Sequence, residues 1–66
     1  MNPADQQIGH KIRTIRRKIG MTQASLSKKL SISPSYLNLM ESGKRKINLD
    51  LLLKVAAELN IEITDI

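Results

Sequence analysis

The sequence has no cysteine, tryptophan or phenylalanine, and His10 and Tyr36 are its only histidine and tyrosine. Without cysteine there is no disulfide or thiolate–metal staple, and one imidazole does not build a zinc site. The same lack gives no sign of an oxidising compartment and fits a cytosolic protein. No apolar run approaches the ~20 residues that a membrane-spanning helix needs. The polar start Met1-Asn2-Pro3-Ala4-Asp5 lacks the apolar centre of a signal peptide. Repeats, low-complexity stretches and linkers are also missing. So are the marks of an enzyme: a paired carboxylate in the helical core, a nucleophile–base pair, a glycine-rich phosphate loop, a metal cluster. Neither catalysis nor a cofactor is expected.

Acid is scarce where base is plentiful. Between His10 and Lys46 the only acid is Glu41, against Lys11, Arg13, Arg16, Arg17, Lys18, Lys28, Lys29, Lys44, Arg45 and Lys46. From Ile47 onward the sign reverses, with Lys54 alone against Asp50, Glu58, Glu62 and Asp65. The net charge of +5 therefore conceals a cationic part and a mildly acidic part. Such segregation points to a polyanion on the basic side, the alternative being a well-solvated bundle without a partner. The 66 residues suffice for one domain. Below about 70–80 residues a core needs regular helix packing or outside support, here a dimer partner or the rest of a longer protein.

What is present is helical spacing. Asn2 reads as a cap and Pro3 as the first residue of a helix, with Asp5 near the positive end of its dipole. Ile8, Ile12, Ile15 and Ile19 share one face, and Gly20 ends the helix. Thr22 caps a short helix from Gln23 to Leu30, whose apolar residues are Ala24, Leu26 and Leu30. Ser31-Ile32 makes a tight connection. Ser33-Pro34 opens a third helix reaching about Ser42, with Leu37 and Met40 facing the core; Met21 and Met40 serve as core filler. Gly43 stops it, and Lys44-Arg45-Lys46 forms a basic loop. Asn48 caps a fourth helix, Leu49 to Leu59, with an apolar stripe of Leu49, Leu52, Val55, Ala56 and Leu59. Asn60 suits a left-handed cap, and residues 61–66 begin a fifth helix. The expected fold is all-α, a compact bundle of four to five short helices.

Two short helices about three residues apart, the second with small polar side chains in its first turn, form a helix-turn-helix. The second helix must enter the major groove, so its first turn needs side chains that reach base edges and phosphates. The run from Met21 to Lys44, above all Thr22-Gln23-Ala24 and Met40-Glu41-Ser42-Gly43-Lys44, closely resembles the Cro/CI (Xre-type) helix-turn-helix regulators. The resemblance extends over essentially the whole chain and implies a lambda-repressor-like DNA-binding domain. It further implies a cytoplasmic, nucleoid-associated protein of bacterial or phage type, and residues 1–66 as the N-terminal part of a longer regulator. Within that family, Ile32-Ser33-Pro34-Ser35-Tyr36-Leu37-Asn38 is similar to members that head longer regulators, including those of short-chain acyl metabolism.

Residue by residue, the resemblance assigns Gln23 to a phosphate contact that also braces the recognition helix. It places Pro34, Ser35, Tyr36, Asn38 and Leu39 on the groove-facing surface. Ser33, Lys44, Arg45 and Lys46 are expected to meet the sugar-phosphate backbone, and Arg16 and Glu41 to form an internal ion pair. The chain departs from the family at three positions. Ser31 stands where glycine is usual and must tolerate a strained backbone. Ser27 replaces alanine and needs a partner for its hydroxyl. Pro34 replaces a long amide, moving base reading to Ser35, Tyr36 and Asn38. Tyr36 is either a half-buried anchor or a hydroxyl on DNA. Asn38 either pairs with adenine or faces solvent. Leu39 lies outside the core, against a thymine methyl or simply exposed. The basic loop has the alternative of a solvated turn, and His10 reads as a surface residue.

The function expected is sequence-specific binding of double-stranded DNA in transcriptional regulation, as a homodimer on half-sites about one helical turn apart. The alternative is a protein-interaction module of antitoxin type, using the leucine-rich C-terminal part. An effector-binding or partner domain would lie outside this chain, and no membrane contact is expected.

Overall fold

The computed structural model describes residues 3–66. Its element order is α1 (Pro3–Lys18), α2 (Gln23–Leu30), α3 (Pro34–Glu41), α4 (Leu49–Leu59) and a closing 3-10 turn, Ile63–Asp65. The segment after α4 is thus a single tight turn instead of the start of a fifth α-helix. The expected cap at Asn2 lies outside the described residues.

Local chemistry sets the boundaries. Three helices start on side-chain caps: Thr22 accepts from the Ser25 N–H, Ser33 from the Tyr36 N–H and Asn48 from the Leu51 N–H. Each bond satisfies a first-turn donor that the helix cannot satisfy itself. Two helices end on left-handed residues without glycine, Ser31 at φ 58° and Asn60 at φ 57°. Asn tolerates this region through its short polar side chain, whereas Ser31 holds it at a cost of about 1–2 kcal/mol. The Ser31 N–H donates to Lys28 O at 3.2 Å, which uses an otherwise orphaned carbonyl.

The core gathers Ile12 of α1, Leu26 and Leu30 of α2, Leu37 and Met40 of α3, and Val55 and Leu59 of α4. α3 packs on both α1 and α2, and α2 packs on α4. Ser27 is buried among these residues and its hydroxyl donates to Ala24 O at 3.0 Å, so the replacement of alanine leaves no orphan. Met21 is half-buried against the cluster, and Met40 is fully buried in it.

Two apolar residues placed on helix stripes are exposed. Ile19 is 52% exposed and Leu49 is 64% exposed. Ile19 follows the last residue of α1, and Leu49 is the first residue of α4. Ala24, in the first turn of α2, is exposed as well.

The crossing of α1 and α3 depends on two glycines. At Gly9, in the middle of α1, an added Cβ would collide with the carbonyl oxygen of Met40 and lie 2.9 Å from that of Glu41. At Gly43, just after α3, the backbone takes φ +76°, and an added Cβ would lie 2.8 Å from Gln6 Cα. Close approach at Gly9, and close approach with a left-handed turn at Gly43, seat the C-terminal end of α3 directly on α1.

Candidate nucleic-acid interface

The polar centre beneath α3 is built around Glu41, which is 2% exposed. Arg16 grips its carboxylate with two bonds, Nε to Oε2 at 2.7 Å and Nη2 to Oε1 at 3.0 Å. The remaining arm, Nη1, donates to Met21 O at 2.8 Å, which ties the α1–α2 connection to the same site. This is the Arg16–Glu41 pair that the family resemblance implied. Arg13 joins it from the next turn position of α1, with Nε 3.3 Å from Oε1 and Nη2 3.2 Å from Ser42 Oγ. Gln23, the first residue of α2, donates from Nε2 to Glu41 Oε1 at 2.9 Å and to Asn38 Oδ1 at 3.2 Å.

α1, α2 and α3 therefore converge on one carboxylate. Burial pushes the Glu41 carboxyl up, but hydrogen bonds from Arg16, Gln23 and Arg13, with the Arg16 charge, outweigh it. The group is held below its ordinary value and stays ionised. No buried side-chain nitrogen or oxygen lacks a partner among the described residues. With Glu41 buried and neutralised, the segment from His10 to Lys46 exposes no carboxylate, so its surface is purely cationic.

The opposite side of α3 faces outward. Ser33, Pro34, Ser35 and Asn38 are exposed, and the Ser33 hydroxyl serves as the helix cap. Tyr36 is half-buried against the core, and the Arg45 guanidinium lies over its ring, 5.8 Å from the centroid. That contact brings the basic loop back to the first turns of α3. Lys44, Arg45 and Lys46 are all exposed. Leu39 is half-buried, so it rests partly against the fold instead of standing clear of it.

Two contributors escaped the sequence reading. Arg13 precedes Arg16 by three residues and so shares its helix face, a spacing that marks a paired contact. Gly9 interrupts a helix at a cost of roughly 1 kcal/mol, a penalty that signals a packing demand. Gln23 also differs from the simple expectation. Both of its amide hydrogens are engaged inside the protein, which leaves its side chain only an acceptor for outside partners.

This geometry has clear relatives. The HTH_3 helix-turn-helix family model matches residues 12–66. The chain is 35% identical over 57 residues to the HTH-type transcriptional regulator RamB of Mycobacterium tuberculosis, a match over 86% of this chain and 12% of RamB. It is 36% identical over 56 residues to a propionyl-CoA carboxylase regulator of Cereibacter sphaeroides, covering 85% of this chain and 12% of that protein. The chain thus spans 12% of the length of each of these curated relatives. The crystal structure of the restriction-modification controller protein C.AhdI from Aeromonas hydrophila superimposes with a TM-score of 0.90 at 28% identity, over 97% of both chains. Helix order, glycine-seated α3, the buried arginine–glutamate centre and the family match all agree: the chain belongs to the HTH_3 helix-turn-helix family.

Proposed function

We propose that this chain binds double-stranded DNA sequence-specifically in transcriptional regulation, with α3 in the major groove. One observation carries the reading: α3 exposes small polar side chains in its first turn while its other side is fixed by the Glu41 centre. A helix held at a set angle, with short side chains at its leading end, can approach base edges closely. Ser35, Tyr36 and Asn38 read bases, Pro34 shapes the leading edge, and Leu39 meets a thymine methyl with the part it leaves exposed. Ser33, Lys44, Arg45 and Lys46 bind phosphates, and the one carboxylate between His10 and Lys46, that of Glu41, is buried and paired with arginine. Gln23 meets a phosphate through its main-chain N–H at the start of α2, because its side-chain amide is already committed. Binding needs no catalysis and no cofactor, and it takes place in the cytoplasm on the nucleoid.

The protein acts as a homodimer on this reading. Leu49, 64% exposed, and Leu53, 49% exposed, stand one turn apart on α4 and offer an apolar surface that one copy leaves open. The same pair supports a second reading, an antitoxin-type surface for another protein.

Fluorescence anisotropy of a labelled duplex across a salt series tests the main reading. The logarithm of the affinity is expected to fall linearly with that of salt, by about 0.9 for each phosphate contact on duplex DNA. A duplex that stays unbound at low salt, even by two tethered copies, would move the function to protein interaction.

A further inference from the structure

Resting on the DNA-binding reading, we infer that the ring face of Tyr36 is the seat of Arg45. The ring holds that guanidinium beside α3 in the free protein, so Arg45 is the phosphate-binding residue of the basic loop that is in place before DNA arrives. Tyr36 is its positioning residue, with the ring face serving the arginine and the hydroxyl serving the base.

The three cations of the loop are alike in charge and differ in surroundings. Gly43 takes φ +76°, and the N–H groups of Gly43 and Lys44 donate to Met40 O and Leu39 O at 3.1 and 2.9 Å, which turns the chain back along α3. Past Lys44, the backbone N–H groups of Arg45 and Lys46 make no hydrogen bond among the described residues. The side chains of Lys44 and Lys46 are exposed and have no hydrogen bond, ion pair or ring contact there. Arg45 differs: its guanidinium carbon lies over the Tyr36 ring, 5.8 Å from the centroid. The ring is itself held, because Tyr36 packs half-buried against the core and its N–H donates to the Ser33 hydroxyl at 3.0 Å.

A ring face attracts a cation through its quadrupole, without an acceptor atom. Arg45 makes no hydrogen bond among the described residues, so its N–H groups stay open to an outside acceptor. A phosphate can take a pair of them at once, a geometry that a lysine ammonium does not offer. A long side chain also loses rotamer freedom when it binds. Arg45 has given up part of that freedom beforehand, and Lys44 and Lys46 have not. Equal charges therefore contribute unequally.

Anisotropy titrations of a duplex selected by the unaltered chain test the inference. Lys44→Ala, Arg45→Ala and Lys46→Ala are compared in the unaltered chain, in Tyr36→Phe and in Tyr36→Leu. Phenylalanine keeps the ring face and gives up the hydroxyl, whereas leucine keeps apolar bulk against the core and gives up the ring. Losses are read within each background, so any base contact that Tyr36 itself makes cancels. In the unaltered chain and in Tyr36→Phe, Arg45→Ala is expected to weaken binding about threefold or more beyond either lysine variant. In Tyr36→Leu that excess shrinks to the small margin that arginine geometry alone provides. A loosened fold would affect all three loop variants alike and would not single out Arg45. In the free protein, NMR should show the Arg45 side-chain protons moved upfield by the ring current in the unaltered chain and in Tyr36→Phe, and not in Tyr36→Leu. No excess at Arg45, an undiminished excess in Tyr36→Leu, or its loss in Tyr36→Phe would each overturn the inference and leave the DNA-binding reading standing. Failure to bind any duplex at low salt, even as two tethered copies, would overturn that reading and the inference with it.

Discussion

The two joints that hold this molecule together use different physics. Where α2 meets α4, the buried residues Leu26, Leu30, Val55 and Leu59 pack through apolar contact, a force without direction of its own. Where α1 meets α3, the joint is directional: two glycines set the distance, and one carboxylate with two arginines and a glutamine sets the angle. Hydrophobic burial makes the chain fold, and the polar joint determines where α3 points. A helix that must meet a repeating lattice of base edges needs the second kind of joint. The outer face of α4 has no such constraint, and it is there that exposed leucines collect.

Breaking the directional joint should have the largest effect. Glu41→Ala leaves the Arg16 guanidinium buried and unpaired, at a cost of about 3–5 kcal/mol. A core of this size supplies about as much in total, so the variant is expected to be largely unfolded by circular dichroism at 25 °C. The double variant Arg16→Met with Glu41→Leu sharpens the comparison by making this joint apolar like the other. It should recover most of the lost stability in urea titrations, yet bind duplex DNA more weakly because nothing sets the angle of α3.

Gly9→Ala comes next. Its Cβ meets backbone carbonyls of α3 that cannot rotate away, so α1 must shift, at a cost of roughly 1–3 kcal/mol in urea unfolding. Alanine would otherwise favour the helix, so a neutral or stabilising result would show that the crossing is not as tight as described.

Acid acts on the same joint more gently. The folded Glu41 holds its proton less tightly than it would in the unfolded chain. Its stabilising contribution is therefore complete above the ordinary carboxylate value and is lost as pH falls through the lower folded value. Urea midpoints taken from pH 7 downward should fall most steeply there, and Glu41→Gln should flatten that part of the curve.

The contrast between the joints also explains what could be read from the sequence. Caps at Thr22, Ser33, Asn48 and Asn60 act within one turn of chain, so their residue types announce them. The stripe from Ile8 through Ile15 is legible for the same reason, since helical periodicity is local. Ile19 and Leu49 continue their stripes in sequence but stand exposed at the margins of α1 and α4, and periodicity alone does not show which positions of a stripe a neighbour covers. The Arg16–Glu41 pair was anticipated only through family resemblance, because 25 residues separate its members. Arg13 and the Gln23–Asn38 bond depend on the angle at which three helices meet. No single segment encodes that angle.

The smallest effect belongs to the other region. Asn48→Ala removes the α4 cap and should cost about 1 kcal/mol of stability. Its effect on duplex affinity should be negligible once the protein is folded, since α4 does not set the direction of α3. A large loss of affinity by anisotropy would mean that the two regions are less separate than their packing implies.

The most direct test of the account is to titrate isotope-labelled protein with duplex DNA and map which backbone amides shift in the NMR spectrum. The largest shifts should fall on Gln23 and its neighbours at the start of α2, on Ser33 to Leu39, and on Lys44 to Lys46, with smaller changes at Leu49 and Leu53 where copies pair. Shifts centred on Leu49 and Leu53, with the first turn of α3 unmoved, would contradict it and identify α4 as the working surface.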